Sequence, residues 1–217
     1  MTKEISSLFD LLPKGAWGAI SLLIGAGAYT AYIRKTISDE NIQPHPLSWL
    51  AWTFATFMAA LVQSSGRAGW GALVTWFTSA SCAAVLVVAL WKQQRRNTLA
   101  QGGKHRNSSW DWASLVFSLF AATLFGMEHL LGWDHGANWS AGLATLADVI
   151  AYKPTITKGW AHPYSDSPWA FFLNALKFAP AYAALDQKSP ATVLFPLTLI
   201  VFNSGVFLML LWRRSRS

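Results

Sequence analysis

Charge is scarce in this sequence of 217 residues: Asp, Glu, Lys and Arg make up 12% of it, while hydrophobic residues make up 53%. A soluble domain of this size ordinarily carries about a quarter of its residues charged, so the class excluded first is the water-soluble globule. Cysteine is nearly absent. The single Cys82 rules out an intrachain disulfide framework and leaves helix packing to hold the fold. Acidic residues are also few, 10 against 17 basic ones, for a formal net charge of +7. The Lys and Arg gather between apolar runs and after the last one, with no aromatic readout module among them, so no nucleic-acid partner is expected. What the sequence has in excess is tryptophan, 13 in all. Trp17, Trp49, Trp70, Trp91, Trp110, Trp133, Trp139, Trp169 and Trp212 lie at the ends of apolar runs, where an amphipathic indole suits the headgroup level of a membrane. They read as an aromatic belt, and the partner they imply is a lipid bilayer.

Apolar runs close to the spanning length of roughly 20 residues fall at about 15–34, 47–64, 69–91, 110–131, 138–153, 168–187 and 191–212. The fold predicted is an all-α integral membrane protein of about seven transmembrane helices, a single membrane domain over 1–217. The fifth run is the shortest and carries Asp148; without it the count is six. Arg34, Lys35, Lys92, Arg95, Arg96, Lys104, Arg106, Lys153, Lys158, Arg213, Arg214 and Arg216 fall on one side of such a membrane, against Lys3, Lys14, Arg67 and Lys188 on the other. That asymmetry predicts an outside N-terminus and an inside C-terminus, multi-pass, in the cell membrane, or the inner membrane of a bacterium. Lys3 ahead of an apolar run, with Ala26-Gly27-Ala28 behind it, also has the form of a cleavable signal. The run continues to Tyr32, however, which favours a span.

A shift of 120 to 121 residues places Ala31-Tyr32 on Ala151-Tyr152, Trp49 on Trp169, and Trp91 with its basic tail on Trp212, Arg213 and Arg214. The prediction is two three-helix repeats, about 15–91 and about 138–212, joined by a linker helix at about 110–131. Three crossings are an odd number, so the linker makes the repeats parallel, an arrangement that encloses a pathway between them in membrane carriers.

With this organisation the chain resembles the PQ-loop and SWEET group of membrane proteins. The local echo is Tyr152-Lys153-Pro154-Thr155, similar to the Pro-Gln signature, with Thr155 in place of Gln and Arg34-Lys35 without a proline in the first copy. The resemblance implies transport of a small solute, hinge prolines matched by Pro154 and Pro180, and a solute-holding Asn on the third helix of each repeat. Asn203 matches one of these; the other position falls on Cys82.

Ionisable groups inside a span demand a reason, and Asp148 and Lys177 are the two to explain. Side chains lean toward the N-terminus of their own helix, and the two helices run oppositely, so the leans bring both heads toward one level and predict an ion pair. Asn174, one turn from Lys177, and Asn203 complete a polar set. A carrier would use Lys177, Asn174, Asn203 and Asp148 to hold a polar or anionic solute, with Tyr152, Pro154 and Pro180 gating; Pro180 is expected to kink its helix. The alternative is a non-transporting membrane protein, an assembly subunit or sensor, in which Asp148 and Lys177 form a structural pair. Glu128, His129, Asp134 and His135 match no zinc spacing, so neither a metal nor a cofactor is expected. Gly25-Ala-Gly27 reads as a close helix contact and not a nucleotide loop. No enzymatic constellation shares one depth, so no enzyme is expected; homo-oligomerisation stays open.

Overall fold

The computed structural model describes residues 12–98, 109–132 and 136–216, without the side chains of 97, 98, 109–111, 128, 129 and 136. Among the described residues the chain is all helical: α1 Lys14–Ser38, α2 Pro46–Ser65, α3 Trp70–Thr98, α4 Ser109–Leu131, α5 Gly136–Ala161, α6 Pro168–Ala183 and α7 Pro190–Arg214. All seven follow the apolar runs. Four of them, α1, α2, α3 as Trp70–Arg96, and α7, are long and apolar enough to cross a membrane, and α4 has a shorter apolar stretch, Trp112–Met127. In α5 the interruption comes from Asp148, Lys153 and Lys158; α6 is only 16 residues long and contains Lys177.

Proline sets several helix starts. Pro46, Pro168 and Pro190 each occupy the first turn of α2, α6 and α7, where the missing N–H would have had no helical partner and the fixed φ suits the helix. Ser189 and Thr192 add a capping box at the start of α7. Proline also interrupts helices: Pro154 in α5, Pro180 in α6 and Pro196 in α7. A proline inside a helix orphans the carbonyl four residues earlier, and for Pro196 that carbonyl belongs to Thr192. It accepts a hydrogen bond at 2.9 Å from Nε2 of the buried Gln63 on α2. Gln63 in turn accepts from Thr75 of α3 at 2.6 Å, so one amide ties three helices together.

Neighbours in sequence are not always neighbours in space. Helix α3 packs against both α1 and α2, and α7 against both α5 and α6; α1 also packs on α6, α2 on α5, and α4 on α5 and α2. The apolar core runs through this arrangement from Tyr29 and Trp52 to Tyr152, Phe178, Phe195 and Leu210. In a bilayer, helices gain little by burying apolar surface from lipid, so close packing and interhelical hydrogen bonds carry the association. Fully buried Ala51, Ala55, Ala144 and Ala147 supply the close packing. At the α2–α3 turn, Gly69 adopts φ +57°, and a Cβ there would lie 1.7 Å from Asp186 Oδ2 of the α6–α7 turn, so only glycine lets these turns meet.

Basic residues close the opposite ends. Lys92 Nζ, at the end of α3, donates to the carbonyls of Thr36, Asp39 and Ile42 at 2.6, 2.7 and 2.9 Å and is itself buried. Arg213 donates to the Trp160 carbonyl at 3.0 Å, and Arg214 to those of Pro163 and Asp166 at 3.0 and 2.6 Å. These cations were assigned from sequence to topology alone; they also cap the chain leaving α1 and α5.

Of the expected belt, Trp70, Trp91, Trp139, Trp169 and Trp212 are exposed. Trp49 is a correction. It is half-buried at the start of α2 and packs on Tyr32 and Trp52, with ring centroids 5.4 and 5.0 Å away, because that face of α2 looks toward α1 and α6, beside Ala28, Ala170 and Phe171. The side chain of Trp110 and all of Trp133 lie outside the described residues, as do Asp134, His135 and the side chains of Glu128 and His129.

Candidate central cavity

A small cavity sits where the N-terminal and C-terminal halves meet. Tyr29, Trp49, Trp52, Thr56, Thr78 and Cys82 line it from α1, α2 and α3; Asp148, Tyr152, Phe171, Asn174, Leu199 and Asn203 line it from α5, α6 and α7. The room for the centre of a water molecule is about 30 Å³. One water needs roughly 10–15 Å³ on this measure, so the cavity accepts a group of two or three heavy atoms.

Its walls are aromatic. Trp52 stacks edge-on against Trp49 and Tyr152, both at 5.0 Å, and Tyr152 continues to Phe202 at 5.6 Å. The Trp52 indole N–H donates to the Asp148 backbone carbonyl at 3.2 Å, which fixes that ring against α5. Asp148 is 1% exposed, and its Oδ2 has no hydrogen-bond partner. Burying a carboxylate oxygen in this way costs several kcal/mol unless something partners it, which makes Asp148 the residue that needs a function.

Asn174 and Asn203 come together as the sequence predicts. Asn203 Nδ2 donates to the Leu199 carbonyl at 2.8 Å, and Asn174 Nδ2 donates to Asn203 Oδ1 at 3.3 Å. That chain, anchored on a backbone carbonyl, sets the orientation of both amides. It leaves Asn174 Oδ1 buried without a partner, a second unsatisfied acceptor on the same cavity.

Lys177 is fully buried, but the expected ion pair with Asp148 does not form. Its Nζ donates instead to Thr78 Oγ1 at 3.0 Å and Tyr29 OH at 3.4 Å, lying 4.5 Å from the Tyr29 ring centroid and 4.7 Å from that of Phe178. The reason is helix order: α6 packs on α1 and α7, with α7 between it and α5. The lysine stem therefore runs toward α1, where Gly25 makes room; a Cβ there would stand 3.0 Å from Phe77 and 3.3 Å from Lys177 Cδ. Gly27 meets nothing within 4 Å, so the close contact expected of both glycines belongs to Gly25 alone. Lys177 thus lies behind the Thr78–Tyr29 wall and is not on the cavity lining.

Among the expected gating residues, Tyr152 lines the cavity, while α5 runs on past the half-buried Pro154 and α6 past the buried Pro180. The carbonyl of Lys177, within the turn that Pro180 disturbs, accepts from the Ser21 hydroxyl at 2.7 Å. At the Lys- and Arg-rich end, Lys158 of α5 donates to the Gln43 carbonyl and Tyr32 of α1 reaches the buried Asp166. Burial pushes the Asp166 carboxyl above its usual range, against the opposing pull of Lys158, the Ser167 N–H, Tyr32 and Arg214.

Sequence reasoning missed Tyr29, Trp52, Thr56 and Thr78. The signal available was polar and aromatic residues within the apolar runs of the first half; attention had gone to ionisable groups. Among the described residues, no group of three His, Cys, Asp or Glu side chains is placed to hold a metal ion. Comparison of the chain with protein-family models, with curated proteins and with solved structures finds no match.

Proposed function

We propose that this chain is a seven-span carrier of a small polar solute, built from two parallel three-helix repeats joined by α4, with its N-terminus outside and its C-terminus inside the cell membrane. The observation that carries the reading is the cavity: every helix except α4 lines it, six residues come from each half, and two buried acceptors on it, Asp148 Oδ2 and Asn174 Oδ1, have no partner. Carriers made of such repeats hold their solute between the halves near mid-membrane, and a polar site in an apolar core is costly unless it serves a ligand.

Two further features support the repeats. Exchanging α1, α2 and α3 for α5, α6 and α7 turns the α1–α6 packing into α5–α2 and leaves the pairing among these six helices intact, while α4, packed on α5 and α2, stands outside the symmetry. The caps repeat as well: Lys92 on the carbonyls of Asp39 and Ile42 corresponds to Arg213 on Trp160 and Arg214 on Pro163. Asp39 and Trp160, Ile42 and Pro163, and Lys92 and Arg213 are each 121 positions apart, within the shift that the tryptophans and tyrosines give. The resemblance to PQ-loop and SWEET proteins belongs to this reading.

The test is solute uptake into vesicles containing the purified chain, screened over sugars, amino acids, organic anions and amines, for the wild type and Asp148→Asn. Uptake above empty vesicles that Asp148→Asn reduces at least tenfold is the expected result. Tight vesicles that take up nothing from the whole panel refute the carrier reading and favour a non-transporting subunit.

A further inference from the structure

The buried lining atoms left without a partner are both oxygens. Thr56 and Thr78 spend their hydroxyls on the carbonyls of Trp52 and Val74 at 2.7 and 2.8 Å, and the Trp52 indole is spent on Asp148's own backbone. The two unpartnered oxygens are the amide oxygen of Asn174 and a carboxyl oxygen of Asp148, which accepts when ionised. Around them stand the faces and edges of Trp49, Trp52, Tyr152 and Phe171, and aromatic faces attract cations. The one nearby ammonium, Lys177, is already held by Thr78, Tyr29 and the ring of Phe178.

We propose that the cavity is a site for a small ammonium-type cation, which donates to Asp148 Oδ2 and Asn174 Oδ1 and rests among the aromatic rings. This rests on the carrier reading and narrows its solute to cations, where the sequence, weighing Lys177, had pointed to polar or anionic ones. The volume of about 30 Å³ suits ammonium or methylammonium, while a larger amine requires the cavity to widen. Lys177 Nζ, held behind the wall by Thr78 and Tyr29, does not reach Asp148 and so leaves that carboxyl group to the bound cation.

The experiment is thermal unfolding of the full chain in detergent, titrated with ammonium or methylammonium chloride against sodium chloride at equal ionic strength. The expected result is a saturable rise in Tm of about 3–6 °C at ten times Kd. Asp148→Asn should abolish the rise, Asn174→Asp should lower the Kd at least fivefold, and Lys177→Met should bind as tightly as the wild type or more so. If Asp148→Asn does not fold, Asn174→Asp decides, and an unchanged or weaker methylammonium affinity overturns the proposal. Stabilisation by organic anions or sugars instead, lost in Lys177→Met, overturns the cation assignment while leaving a solute carrier. No stabilisation by any cation, anion or neutral solute overturns both.

Discussion

Gln63→Leu puts the tie between α2, α3 and α7 under strain that can be measured. The substitution removes the donor to the Thr192 carbonyl and the acceptor of the Thr75 hydroxyl. Thr75 retains the Gly71 carbonyl at 3.2 Å, so its loss is small. The Thr192 carbonyl has no substitute, because Pro196 has no N–H to return to it, and an orphaned buried carbonyl costs about 1–3 kcal/mol. For a chain of this length each kcal/mol moves Tm by about 2–4 °C, so Gln63→Leu should melt roughly 2–12 °C below the wild type. The discriminating experiment is a double-mutant cycle with Pro196→Ala, which restores an N–H four residues after Thr192. In that background the cost of Gln63→Leu should shrink below about 1 kcal/mol, leaving a coupling of about 1–2 kcal/mol. Thermal unfolding in detergent, followed by tryptophan fluorescence, reads all four proteins. An equal penalty for Gln63→Leu in both backgrounds would refute the claim that Gln63 serves the carbonyl that Pro196 abandons.

Three other outcomes follow from the geometry. Gly25→Val should destabilise the chain by about 1–3 kcal/mol through collision with Phe77 and the Lys177 stem, whereas Gly27→Ala, with open space around it, should gain about 0.5–1 kcal/mol of helix stability; paired unfolding curves check both. Because Cys82 is buried, cysteines introduced at Leu12 and Ser215 can be labelled cleanly: an impermeant maleimide added to intact cells should modify the first and not the second, and the reverse pattern would invert the proposed topology. Asp166 holds its proton more tightly folded than unfolded, since burial raises its pKa. Its contribution is therefore fully present below the ordinary carboxylate range and is lost as pH rises through the raised value; in Asp166→Asn the corresponding fall in Tm across that window should flatten.

Element positions were legible because each apolar run is bounded by charge, proline or tryptophan, and periodicity hardly entered. Asp148 already marked α5 as the poorest span, and α5 indeed lacks a long apolar window. Helix order was not legible. Two spans adjacent in sequence, those of Asp148 and Lys177, were taken as neighbours in space, and the ion pair was drawn between them; α7 between α5 and α6 sends Lys177 to α1 instead. Asn174 and Asn203, expected only as members of a polar set, bond to each other because α6 and α7 pack directly. Lys92, Arg213 and Arg214 were read for their charge alone, since a sequence does not display which carbonyls a loop will leave open. Gln63 was visible as a lone amide between Val62 and Ser64 in an apolar run, and the Thr192 carbonyl that it serves lies 129 residues away.

Lys92 clasps the chain that leaves α1, and Arg213 and Arg214 clasp the chain that leaves α5, so each half is latched to itself at that end. Across the halves there, Lys158 donates to the Gln43 carbonyl and Tyr32 stands beside the buried Asp166. A separation of the chain at that end would leave every clasp within a half unbroken, while the packing of α1 on α6 and of α2 on α5, with the Gln63–Thr192 bond, would still hold the halves together.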